Sequence, residues 1–110
     1  MTSKVKVNMR LCGKTHRITV DMTEDGDFNC HIESDCVNVQ DFAEGLEKIT
    51  LEDLTDKAKS GIVNRYCNCR MSANCLAPAG LISAGWMEAG MISRSNARNN
   101  KANDVEFIVD

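Results

Sequence analysis

The sequence contains no Gly-rich phosphate loop and no Ser/His/Asp arrangement in a recognisable context. Kinase, dinucleotide-dependent and serine-hydrolase readings therefore have nothing to rest on, and no catalytic residue or enzyme class is assigned. There is no internal repeat and no linker long enough to divide the chain, so residues 1–110 are read as one domain with a single modest core. The opening MTSKVKVN has no apolar run, so no secretory signal is read there and a cytoplasmic setting is expected. Acids are missing from residues 1–20, which carry Lys4, Lys6, Arg10, Lys14 and Arg17. The middle, from Asp21 to Asp56, is acidic with only Lys48 against it, and Arg65 and Arg70 later flank a group of cysteines. A formal net charge of −3 argues against a general nucleic-acid binder. The bland reading of this unevenness is solvated faces of both signs. The functional one is an anion or partner site near the cysteines.

What the chain does have is six cysteines, three of them opening the stretch Tyr66–Ser93. Cys67, Cys69 and Cys75 lead into a run of small and apolar residues whose only charge is Glu88. Leu76, Ala79, Ile82, Trp86 and Ala89 recur at helical spacing, with Leu81, Ala84, Met87 and Met91 as a second stripe. A helix apolar on most faces is a buried helix. Residues 71–93 could span a bilayer by length, but Pro78, Glu88 and the many small residues favour burial within a domain and no membrane contact. Pro78 falls in the first turn, where a missing N–H costs little. Cys75 thus opens a buried helix, where the positive end of the dipole favours a thiolate.

Ahead of this helix the pattern is β. Val5, Val7, Met9 and Leu11 alternate with Lys4, Lys6, Asn8 and Arg10, predicting a half-buried strand over 4–11. Cys12-Gly13-Lys14 is a tight connection to a second strand over 15–22, with Ile18, Val20 and Met22 inward. Thr23–Asp27 is a hairpin turn around Asp25-Gly26, and Phe28, Cys30 and Ile32 face the core from a third strand. The fold expected is α+β, a three-stranded antiparallel meander packed against helices, with a further edge strand over 105–109. The segment Arg94–Asn103 reads as a polar loop. Thr50 and Asp53 form a capping box for a short helix carrying Leu51, Leu54 and Ala58, and Ser60-Gly61 ends it.

An up-down-up meander brings the residues after its third strand back to the end where Cys12 sits. Ser34-Asp35-Cys36 follows there, capping a helix with the stripe Val39, Phe42, Ala43 and Leu46. Topology therefore places Cys36 near Cys12, and Cys75 lies at a third element boundary. Zinc and iron–sulfur sites take thiolates from loop and helix-start positions of this kind, so the three together favour a joint role. A fourth ligand is sought in Cys67, Cys69 or His16. Cys30, on the apolar parity of its strand, reads as a small core residue. Without export the thiols remain reduced, which points to metal or thiol chemistry more than to disulfides.

Two resemblances follow from these residues. Leu11-Cys12-Gly13, Ile32–Cys36, and Cys75 with Pro78 three residues on resemble a family of small cysteine-containing proteins from methanogens and other anaerobes, which brings no function with it. The layout is also similar to the NifU/IscU-type iron–sulfur cluster assembly scaffold. Those proteins hold one cysteine in a Cys-Gly-Asp turn between the first two strands, one after the third strand, and one opening the final long helix. Cys12, Cys36 and Cys75 stand in those places and in that order. The resemblance implies a triad for zinc or an iron–sulfur cluster and a protein partner in metal or sulfur transfer. Lys14 stands where the scaffold has its aspartate, and Asn74 where it has a histidine. Two other functions stay open: a thiol-based sulfur carrier or redox protein, and a small structural or interaction domain without metal. The free edge of a small sheet leaves room for a homodimer.

Overall fold

The computed structural model describes residues 2–110. The fold is α+β. Strands β1 (Thr2–Met9), β2 (Lys14–Met22) and β3 (Phe28–Glu33) form the meander that the alternation predicts, and β4 (Lys48–Ile49) adds a short fourth strand beside β3. All pairings are antiparallel, with Val5, Ile18 and Ile32 in one cross-strand row and Val7 opposite His16. Between β3 and β4 lies helix α1 (Val37–Ala43), and after β4 come α2 (Leu51–Thr55), α3 (Gly61–Cys67), α4 (Ala77–Glu88) and α5 (Arg94–Asn100).

One face of the sheet is covered. α4 lies across β1 and β2 and α1 across β3, burying Val7, Ile18, Val20, Phe28, Val39, Phe42 and Leu81. Each fully buried side chain of this size contributes roughly 1.5–3 kcal/mol. The other face carries Lys4, Lys6, Arg17, His31 and Glu33, all solvent-exposed, which is the usual division in an antiparallel sheet.

The approach of α4 is close because Gly80 and Gly85 lack side chains. A Cβ on Gly80 would lie 2.4 Å from Val7 Cγ2, and one on Gly85 2.4 Å from Leu54 Cδ2. Ser60 Oγ caps α3 by accepting from the N–H groups of Ile62 and Val63. The Thr50–Asp53 capping box starts α2 as read from the sequence.

Several expectations are corrected. The fourth strand is Lys48–Ile49, not 105–109; residues 101–110 form neither helix nor strand. Arg94–Asn100 is helical, capped by Ser93, whose hydroxyl accepts from Asn96 N–H. α4 is shorter than its apolar run because the chain turns at Gly90, φ 81°. It buries the stripe of Leu81 and Ala84, leaving Ala79 and Trp86 on the outer side. Leu11 and Met22 are exposed: Leu11 belongs to the turn after β1, and Met22 lies level with the end of α4, where Glu88 accepts its N–H. Ser60 does not end α2 but caps α3.

Glu88 is the one acid in the apolar stretch, and its side chain is 3% exposed. It accepts from Ser3 Oγ at 2.8 Å, from Arg94 Nη2 at 3.2 Å and from Met22 N at 2.9 Å. Arg94 also donates to Ser3 Oγ at 2.8 Å. These bonds clasp the far end of α4 to β1, β2 and the start of α5.

Candidate functional site

The β1–β2 turn carries Cys12 on the exposed surface, with Gly13 at φ 71° closing it. The Cys12 thiol makes only a long contact to Met9 O, 3.6 Å. Cys36 follows β3 at the same end of the sheet and occupies the N-cap position of α1, where its thiol makes no cap bond. Ser34, not Asp35, shapes this start: its hydroxyl oxygen accepts from Cys36 N–H at 2.9 Å and meets His16 Nδ1 at 2.7 Å. Asp35 turns outward and pairs with Lys14 at 3.8 Å, joining the turn of Cys12 to the loop of Cys36. Both groups are well exposed, so this pair contributes a few tenths of a kcal/mol at most.

The third cysteine arrives by the direction of α4. Gly80 stands on Val7, and Glu88 reaches Ser3. Those eight helical residues advance about 12 Å, and the four strand residues between Val7 and Ser3 about 13 Å. α4 is therefore antiparallel to β1, and its N-terminus points toward Met9 and the turn of Cys12. Cys75 precedes that N-terminus. Ala77 N–H donates to Cys75 Sγ at 3.5 Å, a free amide of the first turn aimed at sulfur. The preceding loop is fixed by Met71, buried in the core, by Cys75 N–H donating to Ser72 O, and by the Tyr66 hydroxyl donating to Ala73 O. Within this loop Cys69 packs against the core, and its thiol contacts Tyr66 O at 3.7 Å.

The electrostatics of Cys75 agree with this layout. Burial pushes its thiol above the ordinary range, the Ala77 N–H pulls it down, and the neighbouring Cys36, Cys12 and Cys69 thiols push it up again. Burial outweighs the helix-start amide, so the thiolate expected from the dipole alone is not favoured at neutral pH. Cys12, Cys36, Cys69 and Cys75 thus share one end of the domain. They do not form a closed cage: among the described residues no three His, Cys, Asp or Glu side chains stand arranged to hold a metal ion.

The remaining candidates lie elsewhere or do other work. Cys67 ends α3 on the exposed surface. Cys30 is half-buried on β3, and its thiol is pushed up to about 12 by burial and by the charges of Asp21 and Asp53. His16 is buried on the covered face of β2; burial lowers its pKa, with Asp35 opposing and Lys14 assisting. His16 Nδ1 and the Ser34 hydroxyl share one hydrogen bond, its direction set by the tautomer of the ring. His16 thereby positions Ser34, and through it Cys36. Arg65 is drawn away from the cysteines by Asp41, whose carbonyl and carboxylate accept from Nη2 at 2.6 and 3.1 Å. Its Nε is buried without a partner, for which nothing in the structure gives a reason. The roles of Ser34 and His16 escape sequence reasoning; the one available signal was that His16 shares the inward parity of Ile18.

An open groove of about 550 Å³ crosses the uncovered face, lined by Lys6, Arg17, Glu33 and Asp35 among others. It is polar, carries both signs of charge and includes none of the cysteines. No helix among the described residues is long and apolar enough to cross a membrane.

Fold and site together describe a small α+β domain with four cysteines gathered beyond one end of its sheet. A protein-family model matches residues 3–99, and the chain belongs to that family, described as a family of unknown function (DUF6951). No curated protein and no solved structure matches the chain.

Proposed function

We propose that this protein binds a thiophilic metal, zinc or an iron–sulfur cluster, through Cys12, Cys36 and Cys75, with Cys69 as the fourth sulfur. The reading makes it a scaffold or carrier in metal or sulfur handling, working with a protein partner. The observation that carries it is the convergence of cysteines from three separate boundaries: the turn after β1, the N-cap of α1 and the approach to α4. The donor set fits, since thiolates from loops and helix starts suit both zinc and iron–sulfur clusters. Cys12, on an exposed turn, would complete the set by moving, and would give up only its weak contact to Met9 O. Cys75, whose thiol burial pushes up, would ligate as the thiolate, so metal uptake would release protons.

The order of the three cysteines along strands and helices is that of the NifU/IscU-type scaffolds, and the finer fold reading is a layout of that type. Lys14 and Asn74 replace the aspartate and histidine of those proteins, which bears on cluster release more than on binding. The thiol-carrier alternative loses support at Cys75, because a nucleophilic cysteine needs a lowered pKa and burial raises this one.

The test is metal content and ultraviolet–visible absorbance after anaerobic purification and after reconstitution with zinc, or with iron and sulfide. Cys12→Ser, Cys36→Ser and Cys75→Ser each lose metal, and Cys30→Ser keeps it. A colourless protein that stays metal-free after both reconstitutions removes the reading.

A further inference from the structure

The ten residues after α5, KANDVEFIVD, are exposed throughout. Val105 and Phe107 are 63% and 62% exposed, Ile108 93% and Val109 85%. The last backbone bond recorded for this segment is Ala102 N–H to Asn100 O, so nothing past it pairs with the sheet. A run of β-branched and aromatic residues left in water is a strand in need of an edge. The tail also lies beyond the residues matched by the family model, and the domain packs without it.

The domain has such an edge. β1 is the outermost strand, pairing with β2 on one side and with no strand on the other. Its inward residues Val5 and Met9 are only half-buried, as expected where a neighbouring strand is missing. α5 is anchored beside β1 through Arg94 and Ser3, so the tail departs from a helix fixed next to this edge.

Charge fits as well. β1 and the residue after it present Lys4, Lys6 and Arg10 with no acid, whereas the tail from 104 onward carries Asp104, Glu106 and Asp110 with no base. Parity fits too. In an antiparallel pair, residues directly opposite share a face. Any register that places Val105, Phe107 and Val109 on the covered face beside Val5, Val7 and Met9 places Asp104, Glu106 and Asp110 on the open face beside Lys4 and Lys6, with Ile108 left on that open face. A slip by one residue would turn Phe107 to solvent and the acids into the core.

We propose that residues 104–110 of one copy add as an antiparallel strand to the free edge of β1 in a second copy. Each copy gives a tail and receives one, so the contact closes as a symmetric dimer. Main-chain hydrogen bonds supply attraction, and the Lys4, Lys6 and acid pairs set the register.

The experiment is the solution mass of the reduced full chain by sedimentation equilibrium, with chelator present. The expected mass is twice the 12.1 kDa of one chain. The tail variant Asp104→Lys/Glu106→Lys and the edge variant Lys4→Glu/Lys6→Glu should each be monomeric. Mixed together they should form a heterodimer, because each edge then meets an oppositely charged tail from the other chain. Phe107→Ser should halve the mass with unchanged thermal unfolding of the domain. A monomeric full chain overturns the proposal, as does a dimer that survives both charge variants. So does a pair of variants that stays monomeric on mixing, because restored charge complementarity then fails to join tail and edge. A dimer that forms only on adding metal overturns this inference while leaving the metal reading standing.

Discussion

Replacing Gly80 by alanine tests the helix–sheet contact that aims Cys75 at the other cysteines. In an exposed helical position this change stabilises by about 1 kcal/mol through backbone entropy. Here the new methyl would sit 2.4 Å from Val7 Cγ2 and 3.2 Å from Ile18 Cδ1. Ordinary carbon contacts lie near 3.5–4.0 Å, so one partner must move by about 1 Å. Ile18 Cδ1 is a chain end and can swing. Val7 is β-branched, prefers one rotamer, and is held in register opposite His16. Overpacking of this kind costs about 1–3 kcal/mol. The propensity gain offsets part of it, leaving a net loss of about 0–2 kcal/mol for Gly80→Ala, against a gain of about 1 kcal/mol at an exposed site. Urea denaturation reads it. Val7→Ala makes room, so the double variant should be more stable than the sum of the single losses by about 1 kcal/mol. If Gly80→Ala gains the full ~1 kcal/mol of an uncrowded helical site, or if the two effects simply add, α4 does not lie against β1 as described.

Three further outcomes follow. Glu88→Ala strips the acceptor from Ser3, Met22 N and Arg94; since Arg94 is part exposed and can turn to water, the loss should be about 2–3 kcal/mol in denaturant titration, and a neutral result would remove the clasp. His16 has its folded pKa lowered by burial below 6.5, so the unfolded chain takes up the proton first. Its contribution is present in full above 6.5 and is lost as the pH falls through that value toward the lowered folded one. His16→Gln should flatten thermal stability across that window, and an unaltered profile would contradict the burial. In alkylation of the native reduced protein, exposed Cys12 and Cys67 should label first and half-buried Cys30, whose thiol burial pushes up, last; labelling of Cys30 as fast as Cys12 would contradict that burial.

Strands and turns were legible because their signals are local. Val5 and Val7 alternate with lysines, and Gly13 and Gly26 stand where the chain needs positive φ, at 71° and 87°. Convergence of Cys12 and Cys36 followed from counting strands. The face of α4 was not legible, since an apolar run with almost no polar residue does not say which stripe meets the sheet. Only the glycines at 80 and 85 marked it, by what would clash there. Arg94–Asn100 looked like a loop because it is polar all round; its helix rests on the Ser93 cap and on Arg94 reaching Glu88 and Ser3, which are tertiary contacts. The tail at 105–109 has a strand's alternation but no neighbour within its own chain, and pattern alone does not supply one. Ser34 as the link between His16 and Cys36 depends on register, which composition does not carry.

Cobalt(II) titration under anaerobic conditions puts the gathering of sulfurs to the most direct trial, because thiolate ligation gives cobalt an intense sulfur-to-metal absorption. The account predicts a band that saturates at one ion per chain, is lost in Cys12→Ser, Cys36→Ser and Cys75→Ser, weakens in Cys69→Ser and persists in Cys30→Ser. No band, or one indifferent to residues 12, 36 and 75, would contradict it.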